Sequence, residues 1–245
     1  MADRQLRLTR RAAAVLANEL PALLEPATAT GRQSLSRLIA ICDAITSAIA
    51  TPTRTAPQSI SQLLMAWSEC RSQRSAAICQ VAHGCNEKQL HDRAAAAIDE
   101  AQQALTSDPL PTAVVSFVGP VRLSDLIAGL TISLDRLAHH VGATLDPASS
   151  QQALRALALT LEERYPGHTI ELRVPPVTAV QLGAFGEGPT HHRGTPPNVV
   201  ETDPETFWAL CTGLLGWQQA RDDHRLRVSG VHADQVARML PVITH

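Results

Sequence analysis

Aromatic residues make up only 3% of the 245-residue sequence, with three Phe, three Trp and one Tyr, so any core must be built mainly from Leu, Ile, Val and Ala. Lysine occurs once, at Lys88, which leaves arginine to carry nearly all the positive charge. The formal net charge is −2, so no whole-domain attraction to nucleic acid or anionic lipid is indicated. The early cluster Arg4, Arg7, Arg10 and Arg11 is spaced along helix faces and reads as a solvated surface. No segment approaches the roughly 18 apolar residues that span a bilayer. The opening MADRQLRLTRR lacks the apolar core of a secretory signal. Five cysteines, an odd number, do not suggest a disulfide framework. These absences predict reduced thiols and a cytoplasmic location, with no nucleic-acid partner and no integral membrane segment.

What is present divides into two rhythms. Up to about His140 the pattern is helical. Leu38, Ile41, Cys42, Ile45 and Ile49 follow helical spacing and predict one buried face. Ser59 and Gln62 have capping-box spacing ahead of Ile60, Leu63, Leu64 and Trp67. A further helix is expected from about Asn86, with Leu90, Ala94, Ala97, Ile98, Ala101 and Leu105 inward. The last runs from Ser124, read as its N-cap, to Gly142. With an opening helix over about 3–24, the spacing predicts a bundle of four or five helices over residues 1–142. Thr112 to Pro120 is β-branched and reads as a strand-like crossover.

Beyond the linker at 142–150 the pattern becomes mixed. Asp146 and Pro147 open a helix carrying Leu154, Leu157, Ala158 and Leu161. Ile170, Leu172 and Val174 then alternate with Glu171 and Arg173, as in a half-buried strand. Pro175-Pro176 implies an edge or a bend. Further extended segments are expected at Val177–Leu182, Asn198–Glu201 and His224–Ser229. Thr202-x-x-Glu205 with Asp203-Pro204 marks a helix start, and a final helix carries Val236, Met239 and Leu240. Residues 148–245 thus read as an α+β domain with a small, mainly antiparallel sheet and helices on one side.

The segments ELRVPPVTAVQLG, GPTHHRGTPPNVVETDPETF and HRLRVSGVHADQVARML resemble the sterol carrier protein type 2 fold. They are most similar to its actinobacterial branch of bacterial orthologs, over roughly residues 148–243. The N-terminal helices, with VRLSDLIAGL opening the last, resemble the DinB-like bundle of mycothiol-dependent maleylpyruvate isomerases. That second resemblance implies a divalent metal held by a histidine on an earlier helix and a Glu-x-x-x-His pair on the last. At the matching positions this sequence has Ser133 and Leu137, and leucine cannot ligate a metal. A shifted register offers Asp135 and His139. No metal and no cofactor are assigned.

Cys79, His83, Cys85 and His91 lie close together but match no common zinc spacing. His139 and His140 close a helix, where they can bond free carbonyls. Cys211 sits between Leu210 and Leu214 on an apolar face and reads as core. His191 and Arg193 could recognise an anion in a loop stiffened by Pro196-Pro197. Alternatively, Arg193 pairs with Glu201 or Asp203 and pins that loop.

By resemblance, sterol-carrier-like domains shelter lipids between sheet and helices. The expected ligand-binding residues are Leu172, Val174, Val180, His191, Arg193, Phe207, Leu210, Leu214 and Met239, with no catalytic residue. The leading expectation is a non-enzymatic carrier for a lipid or other apolar small molecule. A mycothiol-dependent isomerase or transferase with a rearranged metal site, and a protein-interaction module without a ligand, are the alternatives. The sequence assigns no oligomeric state.

Overall fold

The computed structural model describes residues 2–186 and 198–243, with side chains from Leu6 onward. The chain forms two compact units, Met1–Ala153 and Leu154–His245.

The first unit is a helical bundle. Its helices are α1 (Ala2–Glu19), α2 (Leu24–Thr30), α3 (Arg32–Ile49), α4 (Ile60–Glu69), α5 (Arg71–Val81) and α6 (Glu87–Leu105). A hairpin of β1 (Ala113–Ser116) and β2 (Gly119–Arg122) then leads into α7 (Leu123–Val141). The central helix is α3, which packs against α2, α5, α6 and α7. Its apolar face, Leu38, Ile41, Cys42 and Ile45, is buried as the helical spacing requires. The capping box expected of Ser59 and Gln62 forms on α4, and a second, not anticipated, joins Asn86 to Gln89 on α6.

Several local expectations are corrected. The opening helix stops at Glu19, because Pro21 opens a separate 3-10 turn at Pro21–Leu23. Helix α5 was not anticipated, and it has no apolar stripe to betray it: none of its residues is buried. Helix α7 starts at Leu123 after an extended Arg122, and Ser124 instead donates its hydroxyl to Asp125. The segment read as a crossover is a true antiparallel hairpin, pairing Val114 with Val121, both fully buried.

Helix α8 (Pro147–Arg164) straddles the division between the units. The second unit continues with β3 (Ile170–Val174), β4 (Thr178–Leu182), β5 (Asn198–Thr202), α9 (Pro204–Cys211), α10 (Trp217–Asp222) and β6 (Leu226–Ser229), and ends in a 3-10 helix over Ala233–Met239. Its sheet has the order β4-β3-β5-β6, with antiparallel outer pairs and a parallel β3–β5 pair in the middle. The architecture is therefore a helical bundle followed by an α+β domain with a small, mainly antiparallel sheet. Pro175-Pro176 lies in the turn between β3 and β4, so it bends the chain and does not mark an edge. The cap of α9 is Asp203, whose carboxylate accepts from the Thr206 amide and hydroxyl, while Thr202 bonds the Arg225 carbonyl.

Tight backbone approach closes the first hairpin of this unit. The Gly183 amide donates to Tyr165 O at 2.8 Å, and Thr169 N donates to Leu182 O at 3.0 Å. A Cβ on Gly183 would lie 2.6 Å from the Pro166 carbonyl oxygen, a backbone atom that cannot swing aside. Gly183→Ala should therefore lower the unfolding free energy by about 1–3 kcal/mol, read as a lower midpoint in urea denaturation.

Candidate functional site

Paired residues in neighbouring strands share a face of the sheet. Leu172 pairs with Val180 and with Val200, and Val200 pairs with Val228. The four side chains Val180, Leu172, Val200 and Val228 thus form one apolar row across all four strands. The first three are buried, whereas Val228 on the edge strand β6 is only half-buried. Two residues along, Leu226 lies on the same face.

At this end of the row lies an open cleft of about 820 Å³, bordered by α10, β6 and the final 3-10 helix. Leu226, Val228, Trp217 and Ala237 give it an apolar floor. That floor is continuous with a core cluster of Leu210, Leu215, Ala220 and Leu226. Polar groups form the rim. Trp217 Nε1 donates to Asp234 Oδ1 at 3.2 Å, and the Arg221 guanidinium pairs with the same carboxylate. Gln218 donates to Asp222 at 2.8 Å. His224 takes a left-handed backbone (φ 58°) at the turn from α10 into β6, a conformation in which histidine is over-represented among non-glycine residues.

The expected lining residues fall into three groups. Leu172, Val174, Val180, Phe207, Leu210 and Met239 are buried. Leu214, in contrast, is 66% exposed in the loop after α9. His191 and Arg193 lie outside the described residues. Of their proposed partners, Glu201 pairs with Arg227 at 3.3 Å and Asp203 caps α9. The cleft residues Trp217, Arg221 and Asp234 were not foreseen. Trp217 and Arg221 share a short helix at i, i+4, but Asp234 joins them only through tertiary closure.

The two buried thiols are poorly suited to attack. Burial pushes the Cys211 thiol well above its usual range and holds Cys42 at about 12. Cys79 is exposed, and the Cys85 carbonyl accepts from Arg32. Among the described residues, no group of three or more His, Cys, Asp or Glu side chains is arranged to hold a metal ion.

The first unit holds a second polar constellation. Asp135, on α7, is 4% exposed; its carboxylate lies 3.6 Å from His139 Nε2 and accepts from Ser150 at 3.1 Å. Glu19, at the end of α1, accepts from the Ser149 hydroxyl at 2.6 Å and the Asp146 amide at 3.0 Å. Two carboxylates from different helices thus hold the start of α8. Burial raises the Asp135 pKa above the usual carboxylate range, and the nearby Glu19 charge adds to this; His139 and the Ser150 hydrogen bond oppose it.

Residues 146–242 match the family described as "Bacterial SCP ortholog", where SCP denotes sterol carrier protein. No curated protein matches the chain. Two solved structures, a mycothiol-dependent maleylpyruvate isomerase and a single-substitution variant of it, are similar at 16% identity and a TM-score of 0.43. Each similarity covers 86% of this chain and 88% of the other. The functional reading therefore rests on the family match and on the geometry of this chain. Among the described residues, no helix is long and apolar enough to cross a membrane.

The Asp135 shift has a definite sign. A carboxyl with a raised folded-state pKa binds more protons folded than unfolded, so folding loses stability as pH rises from about 4 through the folded value. Asp135→Asn removes this component. In urea denaturation between pH 4 and 7, the wild-type free energy should fall relative to the variant as pH rises.

Proposed function

We propose that this protein binds a lipid or other apolar small molecule without transforming it, and that residues 148–245 form the binding domain. The observation that carries the reading is the apolar row across the sheet, which leaves the buried interior and opens to solvent at Val228 and Leu226 in the cleft. The match of residues 146–242 to the bacterial sterol carrier orthologs supports it.

The physical logic is that of an amphipathic seat. An acyl or polycyclic body would cover Val228 and Ala237, which are otherwise half-buried, over the buried Leu226, and so gain hydrophobic free energy. A polar head would meet the rim of Gln218, Arg221, His224 and Asp234. Arg221 and Asp234 neutralise each other, so the rim favours orientation over strong charge selection. Leu172, Val174, Val180, Phe207, Leu210 and Met239 support the floor from within. Arg193 and His191 remain candidate ligand contacts, and Leu214 is a candidate outer contact.

A fluorescent fatty acid and a fluorescent sterol are suitable probes for titration against the full chain. Leu226→Arg and Val228→Glu should each weaken binding by roughly tenfold or more, because burying a leucine or valine contributes about 1.5–3 kcal/mol. Circular dichroism checks that the variants fold. Binding that survives both substitutions would sink this seat, and absence of binding by the wild type to either probe would sink the carrier reading.

A further inference from the structure

Three helices of the chain stop in the same backbone motif, and one of them breaks its residue rule. At the end of α7 the Gly142 amide donates to His139 O and the Ala143 amide to Ala138 O. At the end of α9 the Gly213 amide donates to Leu210 O and the Leu214 amide to Ala209 O. These paired bonds make a Schellman cap, which needs one left-handed residue just past the helix. Gly142 (φ 70°) and Gly213 (φ 73°) supply it without steric cost. Helix α10 ends in the same two bonds, from the His224 amide to Arg221 O at 3.0 Å and from the Arg225 amide to Ala220 O at 2.9 Å. Its left-handed position is held by His224, the one non-glycine residue with a positive φ among the described residues. An imidazole contributes nothing that this cap requires. What it does supply is a side chain bordering the cleft, beside Leu226 and Val228.

The other polar side chains of the rim are engaged with one another. Trp217 and Arg221 both donate to Asp234, and Gln218 donates to Asp222. The exposed His224 ring has no hydrogen bond or ion pair among the described residues. A neutral imidazole donates through one nitrogen and accepts through the other. An alcohol hydroxyl also both donates and accepts, so it can meet either nitrogen. A charged head group suits this rim less well. It gives up more hydration than a hydroxyl on leaving water, and the arginine that borders the cleft is already paired with Asp234. Asp222 keeps its exposure to water, where its charge is weakly felt.

We propose that His224 selects the head group of the ligand, and that the ligand it selects is an uncharged apolar molecule ending in a hydroxyl. The assignment rests on the apolar seat proposed above and adds the chemistry of the ligand's polar end. The body of the ligand lies over Leu226 and Val228, and its hydroxyl meets the imidazole just ahead of β6. A left-handed backbone at a non-glycine residue costs stability. The selecting contact accounts for that cost where the helix cap does not.

The test titrates the full-length protein with one fluorescent long-chain probe made in three forms, ending in a hydroxyl, a carboxylate or an ammonium group. The wild type should bind the alcohol about fivefold tighter than either ion, the factor that one net hydrogen bond supplies. His224→Gly should lose about that factor for the alcohol while its affinity for the two ions changes little. Because glycine suits the cap, the same variant should melt no lower than the wild type. His224→Gln keeps a donor and an acceptor on a side chain of similar reach, so it should recover part of the preference. An unchanged alcohol preference in His224→Gly would overturn the selector and leave the seat standing, as would a wild-type preference for either ion. A His224→Gly variant that melts below the wild type would overturn it too, because the histidine would then serve the cap. Failure of all three probes to bind the wild type would remove the seat and the selector together.

Discussion

Asn198 is enclosed at the start of β5, and both ends of its side-chain amide are occupied. Its nitrogen donates to Thr169 O at 2.9 Å, and its oxygen accepts from the His232 amide at 2.9 Å. Leaving either group unmet in the interior would cost about 1–3 kcal/mol, so the chain before β3 and the chain after β6 are both tied to this one residue. The tie fixes the parallel register of β5 on β3, and that register lines up Leu172, Val200 and Val228. A slip of one residue would turn the whole row to the opposite face. The cleft floor, its continuity with the interior and the position of the closing 3-10 helix all follow from this register.

The bundle is organised by a different constraint, the handling of charge in a chain with a single lysine. Glu19 and Asp135 are drawn inside, where hydroxyls and amides at the start of α8 meet them. Burying a carboxylate is expensive unless something compensates it. Here the compensation lies within the fold.

Much of the fold could be read from spacing alone because local signals and tertiary packing agreed. The capping box at Ser59, the alternation at Ile170–Val174 and the glycine stop at Gly142 each have a local cause, and each appears in place. Helix α5 was missed because an exposed helix needs no apolar period. Of the two marks at the start of α9, Asp203-Pro204 supplies the cap, because Asp203 reaches the Thr206 amide while Thr202 is engaged elsewhere. The candidate site was legible only in part. Alternation showed that Leu172 and Val180 face inward, but which end of an apolar row opens to solvent depends on strand order, which has no local signature. Trp217, Arg221 and Asp234 meet through a turn and an edge strand.

Strand β6 ends the sheet, so one side of its backbone has no strand partner among the described residues. It also carries the two apolar side chains, Leu226 and Val228, that floor the cleft. An empty cleft therefore sets the half-buried Val228 beside unpaired amides and carbonyls, the combination that invites strand-on-strand aggregation. Two features blunt that hazard. The strand is only four residues long, and Arg227 puts an exposed charge on its opposite face. Occupancy of the cleft would complete the protection, so the protein's colloidal behaviour in storage is itself a report on whether the cleft is filled.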